Sequence, residues 1–185
     1  MALAGPQRSP TVIERSRIEI VERGIPPQPY HAAAKLDSEA AEKLIRRSMD
    51  AAQRLAEQAI AAARTTLKSQ DYQIVCCGVV LASGRPLPPL DAILRSHAMI
   101  HTAEGHLFRE ALAQAARSFD LPVIGVPERE LSARGAAQLG VPPGKLQARV
   151  KEMGCDVGRP WGANEKQATL VAWLALAAGG PARVR

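Results

Sequence analysis

Between Asp37 and Leu67 the apolar residues return at steps of three and four. Leu44, Ile45, Met49, Ala52, Leu55, Ala56, Ala59, Ile60 and Ala63 make one stripe, with Arg46, Arg47, Asp50, Arg54, Glu57 and Arg64 on the other side. That period predicts a long amphipathic helix with a solvated charged face. Asp37 or Ser38 is placed to cap it, and Glu39 and Glu42 favour its positive end. Nearer the start the period is two. Val12, Glu14, Ser16, Ile18, Ile20 and Glu22 are set against Ile13, Arg15, Arg17, Glu19 and Val21. Together with the apolar opening MALA and the turn GPQRSP at 5–10, this predicts a strand hairpin. IPPQPYHAAAK, 25–35, carries three prolines. It cannot be a central strand and predicts a connection with a short third, edge strand at PYHAAA.

The run YQIVCCGVVLA, 72–82, has no alternation and predicts a central strand covered on both faces. Leu90 to Ser118 predicts a second long helix, LPVIGV at 121–126 a short buried strand, and Glu128 to Met153 two helices parted at GVPPG. A last apolar helix is expected from Asn164 to Ala178. Residues 1–178 then form a single domain, and 179–185, GGPARVR, a disordered tail.

The divided hairpin, LPVIGVPERELSARGAAQLG and the closing GANEKQATLVAWLAL resemble, in that order, the ribonuclease H-like superfamily, in its Holliday-junction resolvase branch. The resemblance implies an α/β fold of three layers, a central mixed sheet flanked by long helices. It also implies carboxylates holding two divalent metals on the first strand, after the central strand and at the closing helix. Those places hold Ala4 and Gly5, then Ala82, Ser83 and Gly84, and finally Glu165 followed by Lys166. One carboxylate does not hold two magnesium ions, so the standard nuclease site is expected to be missing.

Composition alters this picture modestly. The 185 residues carry a net charge of +6, which favours polyanionic partners and makes nucleic acid the partner class to consider. Arg159 and Lys166, in the Gly/Pro-rich GRPWGANEK, are the candidate nucleic-acid or anion contacts. Aromatics are only 3%, which shifts the core toward Ala, Leu, Val and Ile. Three cysteines, Cys76, Cys77 and Cys155, are too few for a disulfide framework, and a reducing cytoplasm is expected. No apolar segment reaches the ~20 residues of a membrane span.

The chemistry-bearing stretch is RSHAMIHTAEGHLFREAL, 95–112, with three of the four histidines. At about 100° per residue, His97, His101 and Glu104 share one side, the apolar one, while His106 falls opposite. Two imidazoles at i and i+4 suit a tetrahedral ion, zinc before magnesium, with Glu104 as third ligand or general base and His101 beside it in catalysis. The spacing is HxxxHxxE, which lacks the glutamate of the metalloprotease HExxH. Cys76 or Cys77 would be a further ligand if its strand faced this helix. Without a metal, Glu104 would accept hydrogen bonds from His97 or His101 in a buried network. Arg109, about 80° from His101, would have to reach around the helix to join a ligand cleft. Three functions are therefore expected in order: a nucleic-acid-binding ribonuclease H-like protein without the usual site, a metal-dependent hydrolase using His97, His101 and Glu104, or a non-catalytic protein that forms homodimers through an Ala-rich helix.

Overall fold

A computed structural model describes residues 1–82 and 86–179. Strands β1 (Ala2–Ala4) and β2 (Thr11–Glu14) open the chain, followed by helices α1 (Pro29–Ala33) and α2 (Ser38–Lys68) and strand β3 (Cys77–Leu81). Helices α3 (Leu90–Leu94) and α4 (His97–Ser118), strand β4 (Val123–Pro127) and helices α5 (Leu131–Leu139), α6 (Pro143–Val157) and α7 (Ala163–Ala178) complete it.

The three-layer α/β architecture does not form. Among the described residues the molecule is mostly helical, 60%, with two separate sheets of two strands each. β1 and β2 pair antiparallel, with Leu3 opposite Val12, while β3 and β4 pair parallel from Cys77/Val123 to Leu81/Pro127. The apolar run at 72–82 reflects cover on both faces, but two helices supply it: α7 and α4 both pack on β3. At Gly78 the approach is so close that a β-carbon would lie 2.5 Å from the Val171 carbonyl oxygen. Burial of a strand thus says nothing about how many strands lie beside it.

Three local readings also change. PYHAAA is α1, not a third strand, because Pro29 at the first helical position starts a helix at no hydrogen-bond cost. The expected helix from Leu90 to Ser118 breaks in two where Ser96 accepts from the Met99 backbone N–H at 3.4 Å, so that His97 is the first residue of α4. The second strand of the hairpin stops at Glu14. Arg15 turns instead to the carbonyls of Gly158, Arg159 and Pro160, at 2.6–3.3 Å. α2 follows expectation, with Asp37 accepting from the Ala40 N–H at 2.9 Å.

Three core clusters result. The first joins α1, α2, α3 and α4 through a seam of small side chains: Ala41, Ala52 and Ala56 meet Ala103, Ala111 and Ala115, with Tyr30, Ile45, Ile100 and Leu107 around them. Alanine on both helices allows their axes to approach closely, which accounts for the scarcity of aromatics. The second joins α5 and α7 to β3 and β4 around Val126, Leu131 and Leu174, and the third joins α6 and α7 to β1 and β2 around Leu146, Val150 and the fully buried Trp173, whose indole N–H donates to the Gln7 carbonyl at 2.7 Å. Among the described residues no helix is long and apolar enough to cross a membrane. Residues 180–185, most of the expected tail, and Ser83 and Gly84, two of the positions carried over from the resemblance, lie outside the described residues.

The thiols provide a check on this packing. Burial pushes the Cys76 and Cys77 thiols up, while Cys155 is exposed on α6. Because the thiolate is the reactive form, iodoacetamide at neutral pH should label Cys155 well before the other two. Mass spectrometry of timed samples tests this, and labelling of Cys76 or Cys77 at the same rate as Cys155 would contradict the arrangement.

Candidate metal centre

The site is built around the start of α1. The N–H groups of the first turn of a helix have no intrahelical acceptor, and Gln28, at the cap position, supplies none from its side chain. Glu104 supplies it from α4. Its Oε1 accepts from the backbone N–H of Tyr30 at 2.9 Å and of His31 at 3.1 Å. This explains a carboxylate buried at 9% exposure: it caps another helix and faces the positive end of its dipole. Burial pushes the Tyr30 phenol up, and the nearby Glu104 charge adds to the effect.

The same oxygen lies 3.2 Å from His31 Nδ1. A carboxylate accepts only, so in the neutral ring Nδ1 carries the hydrogen and Nε2 keeps its lone pair. His97 and His101, one turn apart at the start of α4, bring their Nε2 atoms within 3.0 Å of each other. The His31 ring centroid is 4.7 Å from that of His101 and 5.5 Å from that of His97. One ligand nitrogen from each of the three residues lies within 4.8 Å of the others. A tetrahedral ion with bonds of ~2.0–2.1 Å would set its ligand nitrogens about 3.3 Å apart, so small rotations of these side chains suffice to close the set.

The expected trio therefore divides. His97 and His101 stand exposed at the surface, while Glu104 is buried and meets His31 rather than either of them. Helical spacing does not point to His31. It is 73 positions from Glu104 and has no periodic partner; the available signal was a histidine two residues after a helix-starting proline. His106 is exposed. Cys76 and Cys77 do not belong to the cluster.

Arg159 and Lys166 are exposed beside the third cluster, not with the histidines. Their loop is occupied with packing and capping. Trp161 covers Gly154 and donates to the Val150 carbonyl at 3.1 Å. Glu165 accepts from the Gly162 N–H at 2.8 Å, and bonds from its own backbone N–H and that of Gly162 hold its carboxyl below the usual range. A depression of about 310 Å³ lies between the start of α2 and α3, lined by Ser38, Glu42, Asp91 and Leu94 among others, and has no histidine in its wall.

In the comparisons with known proteins, no family model, curated protein or solved structure matches this chain. Nothing in them identifies the ribonuclease H-like superfamily.

Proposed function

We propose that this protein is a metal-dependent hydrolytic enzyme that binds one zinc-type ion through His31, His97 and His101. The observation that carries this reading is the convergence of three imidazole nitrogens within 4.8 Å, from two different helices. Neutral nitrogen donors suit zinc and its neighbours rather than magnesium, which requires oxygen ligands. Three protein ligands are the number found in catalytic zinc sites, where the fourth position takes water and the ion lowers its pKa to about 7. Two of the three side chains are solvent-exposed, so water and substrate have access to that position.

In this reading His101 is a ligand. Glu104 is a positioning residue rather than a general base, because its Oε1 is taken up by Tyr30 and His31 and its unpartnered Oε2 is buried away from solvent. A carboxylate behind a histidine fixes its tautomer and orientation and makes it a better ligand. The three unpaired thiols suit a reducing compartment, the cytoplasm.

The test uses protein prepared without an affinity tag. Elemental analysis should find one zinc per chain after equilibration, and hydrolysis of an activated carboxyl or phosphate ester should require that zinc and stop with a chelator. Failure to take up one equivalent would refute the site. Uptake with no turnover of either ester would refute hydrolysis and leave a binding site.

A further inference from the structure

We infer that Arg109 is the substrate-binding cation of this centre and that the substrate carries an anionic oxygen group, a phosphate or a carboxylate. The inference rests on the metal reading above. Arg109 lies two turns beyond His101 on α4 and about 80° around the helix from it, and Gly105 lies midway between them in both turn and angle, on the path the side chain must cross to reach the histidines. The Arg109 side chain folds back toward the histidines across Gly105. Its Cζ lies 3.5 Å from the point a Gly105 β-carbon would occupy, and its Nη1 is nearer still. The glycine is therefore what gives the guanidinium room. Side-chain positions one turn apart on a helix are on the order of 5–6 Å from each other, so the charge lies about one helical turn from the base of His101.

Arg109 is also partly buried, and among the described residues it forms no ion pair. Arg46, Arg54, Arg95, Arg117 and Arg134 all pair with carboxylates. A guanidinium offers planar, paired N–H donors that match the oxygens of a phosphate or carboxylate. With the metal holding the reacting group, Arg109 would hold the anionic end of the same molecule.

The experiment uses the full chain loaded with cobalt, whose visible spectrum reports both loading and changes at the ion. Inorganic phosphate and acetate are titrated separately, with binding followed by that spectrum and by calorimetry. At least one should bind, and the tighter of the two identifies the headgroup. Arg109→Gln should weaken that binding about ten- to a hundredfold while cobalt loading stays unchanged. Gly105→Ala should weaken it too although the charge remains, because the new methyl group displaces the guanidinium. If the wild-type protein takes up no cobalt, the metal reading itself fails. If cobalt binds but neither anion does, or if Arg109→Gln binds the anion as tightly as wild type, the metal centre stands and the role of Arg109 is refuted.

Discussion

Saturating zinc should raise the melting temperature by about 8–16 °C, and His31→Ala should lose most of that gain. An ion that binds only the folded chain stabilises it by about 4 kcal/mol at a free concentration a thousandfold above its Kd. For a chain of this length, each kcal/mol corresponds to roughly 2–4 °C. The size of the loss follows from counting ligands. Zinc sites with four protein ligands bind with about 10–16 kcal/mol, or about 2.5–4 kcal/mol per ligand, so removing one ligand weakens binding by roughly two to three decades. At the same zinc concentration the variant would then gain only about 0.4–1.4 kcal/mol. His31 is the informative ligand because it alone comes from α1, whereas His97 and His101 remain as an i, i+4 pair on one helix. Scanning calorimetry with zinc and with a chelator makes the comparison within each protein, so any cost of the substitution to the metal-free fold cancels. An equal gain in both proteins would show that zinc binds elsewhere.

The elements were mostly legible in the sequence, and their assembly was not. α2 could be placed to within a residue because its stripe, its cap at Asp37 and its charged face all agree. The helices at the end of the chain were similarly readable, since GVPPG and GRPWG punctuate them. The sheet was misread for a physical reason: β3 is apolar on both faces, and the sequence does not say whether the neighbours are strands or the helices α4 and α7. The +6 charge suggested a polyanion-binding surface, yet many of the arginines behind it are interleaved with carboxylates in pairs such as Arg54–Glu22 and Arg149–Glu152. At the site, helical spacing alone gave the His97/His101 pair. It could not give His31, because that contact depends on how α1 docks on α4. Helical arithmetic also placed all three polar residues on one side, although the boundary between surface and core runs between His101 and Glu104.

Glu104→Ala should show two separable losses. The first is stability. Removing the carboxylate leaves the Tyr30 and His31 N–H groups without their acceptor at a buried helix start, at a cost of about 1–3 kcal/mol each. Together that is about 2–6 kcal/mol, so the metal-free protein should melt roughly 4–24 °C lower. The second is metal affinity, which should fall about 10- to 100-fold because His31 Nδ1 loses the partner that orients its ring. Glu104→Gln separates the two effects. Its amide oxygen still accepts from the same N–H groups, so most of the stability should return. The negative charge behind His31 does not return, and a neutral acceptor polarises the ring less. Zinc affinity in Glu104→Gln should accordingly remain about tenfold below wild type, measured against a competing chelator at a temperature where every variant is folded. If affinity recovers completely along with stability, the charge of Glu104 contributes nothing to the metal, and the residue is a cap for α1 alone. A fall in melting temperature with unchanged zinc affinity in Glu104→Ala would lead to the same conclusion. Reduced affinity in a Glu104→Gln protein of near-normal stability is the result that only a residue acting through His31 produces.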